Sequence, residues 1–207
     1  MITTTQKHLL LCLAIVCLAS GCASTPQFQV ATDSIAKTGS GQSVSSRGRP
    51  VALTGASLKV GDKFPAAMLI GTNMTAVDVG VNPGKVRVIS FLPSLDTATC
   101  DAQTTELGTV VGTLDPRIEV FTVSMDLPFA QRRYAGLAKL PTVTFLSDYR
   151  TSAFGSGTGV LQEASRLLAR GVMVIDQQNV IRHLQVLPDQ NQLPNMKEAA
   201  RVATLLL

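Results

Sequence analysis

From residue 85 to its end the chain alternates short β-branched runs with helix-spaced segments, and that alternation limits the fold more than any other feature. Residues 85–91 (KVRVISF) and 118–124 (IEVFTVS) read as strands, the second with period-two alternation. Residues 143–146 and 172–175 are short apolar runs of the kind found in buried strands. Residues 180–187 return after a turn at Asp176, Gln177, Gln178 and Asn179 as a hairpin partner. Between them, residues 100–114 and 194–207 space their apolar positions as helices do. This order predicts an α/β sandwich whose central sheet is mostly parallel, with an antiparallel hairpin at its edge. The run Gly155, Ser156, Gly157, Thr158, Gly159 lacks the spacing of a phosphate-binding loop and is expected to be a flexible turn.

The N-terminal end has a different character. Lys7 and His8 precede an apolar run at residues 9–19 (LLLCLAIVCLA), and Ala19, Ser20, Gly21 and Cys22 close it, which is the order of a secretory signal. The run is shorter than the roughly 20 residues a membrane-crossing helix needs, and none like it recurs, so a multi-span membrane protein is excluded. Small residues directly before a cysteine resemble the lipobox of bacterial lipoproteins, with Ala19 standing where the strictest consensus has leucine. That resemblance implies removal of residues 1–21 and a lipid-modified Cys22 fixed to a membrane surface. Ala23, a residue other than Asp, resembles the pattern that sorts lipoproteins to the outer membrane, so the expected location is the cell envelope, facing the periplasm.

Processing changes the cysteine count. Cys12 and Cys17 leave with the signal, the sulfur of Cys22 becomes a thioether, and Cys100 keeps the one free thiol. His8 is also lost and His183 remains, so neither a Cys/His zinc cluster nor an internal disulfide can be built from the mature chain. A net charge of +4 without any Lys/Arg cluster argues against nucleic acid as a partner. Residues 23–49 are rich in Ser, Thr, Gln and Gly, with little periodicity. Residues 22–49 are therefore expected to form a lipidated, flexible tether for a single body at 50–207.

Chemistry concentrates after the first clear strand. Pro93, Thr97 and Cys100 lie at the spacing Pro-x-x-x-Thr-x-x-Cys, with Cys100 opening a helical segment. A helix N-terminus offers partial positive charge and unpaired N–H groups, a setting that favours a thiolate.

This spacing is similar to the peroxidatic motif of peroxiredoxins. Together with FLPSLDT at 91–97, SMDLPFAQ at 124–131 and Leu168, Ala169, Arg170 before a strand, it resembles the bacterial thiol peroxidases, the atypical two-cysteine branch. The resemblance spans the body and implies a thioredoxin-like sandwich with a central mixed β-sheet flanked by helices. It implies Cys100 as the nucleophile toward peroxide and Thr97 as a hydrogen-bond partner of thiolate and peroxide. It further implies Pro93 as a shield of the pocket, Arg170 as the stabilising guanidinium, and a structural role for Arg133. No cofactor is implied; a homodimer is.

One departure bears on mechanism. The family's resolving cysteine falls just after an Arg-aromatic pair, and here the segment reads Arg133, Tyr134, Ala135. Alanine forms no disulfide, so an active protein must work as a one-cysteine enzyme reduced by an external thiol, either a small thiol or a thioredoxin-like protein. The alternative is a degenerate thioredoxin-fold lipoprotein that senses redox state or binds a partner. A Cys100–His183 hydrolase would need those side chains within hydrogen-bond reach, and His183 is expected to have no catalytic duty.

Overall fold

Strand β5 (Arg87–Phe91) is buried along its whole length, which marks it as a central strand covered on both faces. The computed structural model describes residues 27–207 except residues 33, 82 and 83; the expected signal at 1–21 and Cys22 lie outside that set. Around β5 runs a seven-stranded mixed sheet in the order β10-β9-β5-β6-β7-β3-β4. Its other strands are β3 (Met68–Gly71), β4 (Ala76–Asp78), β6 (Glu119–Ser124), β7 (Val143–Ser147), β9 (Gly171–Ile175) and β10 (Ile181–Val186). Strands β5, β6 and β7 pair in parallel and the remaining pairs are antiparallel, so the sheet is less parallel than the alternation suggests.

Side-chain alternation divides the core. Val88 on β5 and Val172 and Val174 on β9 face helices α1 (Ala98–Val111) and α4 (Met196–Thr204), with Leu107, Met196, Ala199 and Ala203 filling that layer. Tyr134 and Ala135 of α2 (Pro128–Ala138) pack against the same layer. Ile89, Phe91, Met173 and Ile175 face the opposite layer. There a small sheet, β1 (Ser43–Ser46), β2 (Arg49–Thr54) and β8 (Leu161–Gln162), contributes Leu53 and Leu161, which share the layer with Phe154 and Leu168.

Two expectations are corrected. The segment placed in a tether is integrated into the body wherever it is described between residues 27 and 49. Val30 bridges Leu193, Ala36 N–H donates to the Val186 carbonyl, Ala31 and Thr38 are buried, and β1 pairs antiparallel with β2. Local composition failed because the chain makes these hydrogen bonds with segments far along the sequence, which satisfy a polar backbone without a hydrophobic stripe. The body thus starts well before residue 50, and Ala23 to Pro26 are all that separates Cys22 from its first described residue.

The glycine run is also not a flexible turn. It forms most of helix α3 (Ala153–Thr158), with Phe154, Gly155 and Thr158 buried. Gly159 ends the helix at φ 69°, and a Cβ there would lie 1.8 Å from the Ala56 carbonyl oxygen, so close backbone approach requires glycine. The expected helices at 100–114 and 194–207 are found as α1, which starts two residues earlier and stops at Val111, and α4, which is shorter at both ends.

Candidate active site

Strand β5 ends at Phe91, and the chain crosses residues 92–97 before entering α1. Asp126, just beyond β6, fixes this crossing: its carboxylate accepts from Ser94 Oγ (2.7 Å), Leu95 N–H (2.8 Å) and Ser124 Oγ (2.7 Å). Because β5 and β6 are parallel neighbours, the loops leaving them meet at the same sheet edge. Thr97 occupies the N-cap of α1 with extended backbone, which makes Cys100 the third helical residue. Its sulfur therefore sits within the first turn, among backbone N–H groups that have no partner inside the helix.

Cys100 has no exposed surface and is the free cysteine among the described residues. Arg170, only 3% exposed, comes from the residue immediately before β9 and donates from Nη2 to Cys100 Sγ at 3.2 Å. Three further hydrogen bonds hold the guanidinium. Nη1 donates to Gln103 Oε1 (2.7 Å) and to the Thr99 carbonyl (3.3 Å), and Nε to the Gln190 carbonyl (2.9 Å). Gln103, one turn beyond Cys100 on α1, is fixed by its own amide, which donates to Ser90 Oγ, the Phe91 carbonyl and the Gly171 carbonyl. Gly171 makes this crowding feasible. A Cβ there would come within 2.2 Å of the Gln185 carbonyl oxygen and 2.4 Å of Phe91 Cζ.

Such a geometry presents a fixed cation to a sulfur at a helix start. It stabilises negative charge on that sulfur, and its second Nη2 N–H remains to face an oxygen that takes up charge beside the sulfur, with little reorganisation because four hydrogen bonds already hold the arginine.

Of the residues singled out from sequence, the fold brings Cys100 and Arg170 into direct contact. Thr97 is different: it is exposed and its hydroxyl donates to the Ser94 carbonyl at 3.4 Å, with no hydrogen bond to Cys100. Pro93 is half-buried in the same loop. Arg133 is exposed on α2, and beside it Arg132 stacks over the Phe129 ring at 5.6 Å. Tyr134 hydroxyl donates to Asp101 Oδ1 (2.7 Å), tying the helix that carries Ala135 to the first turn of α1. Burial and the neighbouring Asp101 carboxylate push the Tyr134 hydroxyl well above its ordinary value. His183, on β10, makes no hydrogen bond with Cys100: its Nε2 is buried without a partner, and burial pushes the imidazole below its usual value. Three contributors escaped the sequence reading. Gln103 shares a helix face with Cys100 by spacing alone, Asp126 lies inside the quoted 124–131 segment, and Gln190 carries no local signal.

Known proteins resemble the chain over most of its length. The Redoxin family model matches residues 59–200. A thiol peroxidase of Halalkalibacterium halodurans is 39% identical over 165 residues, covering 80% of this chain and 99% of that protein. One from Bacillus subtilis is 35% identical over 161 residues, 78% of this chain and 96% of that protein. Among solved structures, a peroxiredoxin-like protein from Aquifex aeolicus superposes with a TM-score of 0.75 at 34% identity, covering 80% of this chain and 97% of that one. A thiol peroxidase from Chromobacterium violaceum shares the fold at TM-score 0.70 and 18% identity, covering 77% and 94%.

Proposed function

The chain belongs to the redoxin family, and from that premise we propose that it is a thiol-dependent peroxidase working through Cys100 alone. The 3.2 Å hydrogen bond from Arg170 to Cys100 Sγ is the observation that carries this reading. Sulfur attacks the terminal oxygen of hydrogen peroxide or an organic hydroperoxide; an S–O bond forms as the O–O bond breaks. The sulfur loses two electrons, and the departing oxygen takes up a proton to leave as water or an alcohol. Arg170 stabilises both the attacking sulfur and the departing oxygen. Pro93 shields the pocket in this reading, and Thr97 turns its hydroxyl from Ser94 toward the peroxide.

With Ala135 in place of a resolving cysteine, the sulfenic acid is reduced from outside. A first thiol condenses with it, releasing water and leaving a mixed disulfide, and a second thiol exchanges with that disulfide to return Cys100 to its reduced form. Lipid modification at Cys22 places the enzyme in the cell envelope, a reading supported by the order of charged, apolar and small residues before that cysteine.

The test is peroxide consumption by the mature protein with dithiothreitol as reductant. Turnover is expected, with a dimedone adduct at Cys100, no intramolecular disulfide, and complete loss in Cys100→Ser. A redox-sensing or partner-binding module is the second reading, favoured by the full burial of Cys100 and the outward Thr97 hydroxyl. It requires no turnover, together with a Cys100-dependent mixed disulfide captured without reductant.

A further inference from the structure

The guanidinium that faces Cys100 rests on a loop that the N-terminal segment holds in place. Gln190, 6% exposed, contacts Arg170 twice: its backbone carbonyl accepts from Nε at 2.9 Å, and its side-chain Oε1 accepts from the Arg170 backbone N–H at 2.6 Å. Its amide nitrogen donates to the Leu187 carbonyl at 2.6 Å, while Leu187 N–H donates to the Arg170 carbonyl at 2.9 Å. Gln190, Leu187 and Arg170 thus close a small ring of hydrogen bonds, and that ring fixes both the backbone of Arg170 and the carbonyl under its guanidinium.

The loop itself has no regular structure between β10 and α4, and segments far back in the chain supply its outer support. Ser45 N–H on β1 donates to the Pro188 carbonyl (2.6 Å), and Gln190 N–H donates back to the Ser45 carbonyl (2.8 Å). Further along, Ala31 N–H donates to the Leu193 carbonyl and Leu193 N–H to the Gln29 carbonyl, both at 2.8 Å. Residues 29–31 and Ser45 therefore hold the two ends of the loop, and Gln190 lies between them.

We propose that Gln190 is a positioning residue of the peroxidase site, aiming Arg170 at Cys100, and that residues 29–31 together with strand β1 form the outer wall that keeps it there. This deepens the peroxidase reading and rests on it. An arginine has many rotamers, and a charge displaced by about 1 Å loses much of its stabilisation of a transition state. Gln103 fixes one guanidinium nitrogen from the helix side; Gln190 fixes the opposite end from the loop side.

The experiment is a double-mutant cycle in the full mature protein, with Gln190→Ala, Arg170→Ala and both together. Gln190→Ala should lower kcat/KM for hydrogen peroxide about tenfold, leave kcat/KM for the thiol within twofold, and move the pH–rate profile to higher pH. In the Arg170→Ala background it should cost less than twofold, because its effect passes through the arginine. Ser45→Pro removes the N–H that supports Pro188 without touching Arg170 or Cys100, and should lower the peroxide step two- to threefold. A folded Gln190→Ala protein with unchanged peroxide kinetics overturns the proposal, and so do additive losses in the cycle. If Gln190→Ala does not fold, an unchanged peroxide step in folded Ser45→Pro overturns it. If the unsubstituted protein turns over no peroxide, the peroxidase reading fails by itself. The same cycle is then read as the rate of Cys100 alkylation by iodoacetamide, where a coupled fall still supports the positioning and an additive one overturns it.

Discussion

Two arginines are buried at or next to adjacent strands of the central sheet, and they do opposite things. Arg170, before β9, donates to the Cys100 sulfur, and each of its guanidinium nitrogens has an acceptor. Arg87, at the start of β5, is 1% exposed and donates to the Val79 carbonyl and to Asn179 Oδ1, with its guanidinium 5.7 Å from the Phe64 ring centroid. Its Nε has no partner, and burial pushes it below the ordinary arginine value while Glu119 and Asp176 oppose the shift. The pairing Arg87↔Ile175 and Phe91↔Gly171 places the two at opposite ends of the β5–β9 ladder. One cation sits at the C-terminal edge of the parallel strands, beside the Cys100 sulfur; the other staples the loops at the far edge. Burial of a charge therefore does not identify a site. What distinguishes Arg170 is that its acceptor set includes a group able to react.

The sharpest way to break this contrast is to remove each cation. Arg170→Ala should cost about 10²–10³-fold in kcat/KM for peroxide, as loss of a charge-stabilising donor usually does. Arg87→Met should leave kcat/KM within twofold and lower unfolding stability by about 1–3 kcal/mol, because the Val79 carbonyl and Asn179 lose their donor. Steady-state kinetics and urea unfolding of both variants decide the matter. An activity loss in Arg87→Met matching that of Arg170→Ala would erase the distinction.

A buried anion extends the comparison. Asp148 is 1% exposed and accepts from the Phe154 and Gly155 N–H groups at the start of α3, and burial pushes its carboxyl up to about 6 from 3.8. Between pH 3.8 and about 6 the folded state thus holds a proton that the unfolded state releases, so the contribution of Asp148 to stability is greatest below pH 3.8 and is lost as pH rises toward about 6. The contribution is roughly 3 kcal/mol at most. Asp148→Asn should flatten that slope in urea melts taken between pH 4 and pH 7, while leaving the peroxide step within twofold.

The smallest effect is expected at Tyr134, half-buried, whose hydroxyl donates to Asp101. Tyr134→Phe should cost about 0.5–1.5 kcal/mol of stability. A fall in peroxide turnover beyond twofold would instead assign the bond between α2 and the first turn of α1 a role in the cycle.

How far these features could be read from sequence follows from their range. Strands β5, β6, β7, β9 and β10 announce themselves because burial on both faces or one face leaves a local β-branched pattern. Helix α2 does not, since it buries only Pro128 and Gln131 and so carries almost no apolar stripe. Strands β1 to β4 are short and partly exposed, and β1 reads SVSS. The strand-loop-helix placement of Cys100 was legible, and a resemblance of ordered motifs put Arg170 forward without showing where it points. The orientation of the Thr97 hydroxyl was not, because it depends on a loop pinned by Asp126 from another strand.

By itself the sequence determined which atoms are available: a thiol at Cys100, an alanine at position 135, a guanidinium at Arg170, and a β-rich core to carry them. The tertiary structure alone decided where Arg170 points and that residues expected to hang as a tether brace the loop behind it. Local patterns record what a segment buries, whereas Ser45 and Gln29 act through backbone hydrogen bonds between distant segments, which any sequence can make, and Gln190 acts through a side chain that reaches Arg170 only in the folded chain.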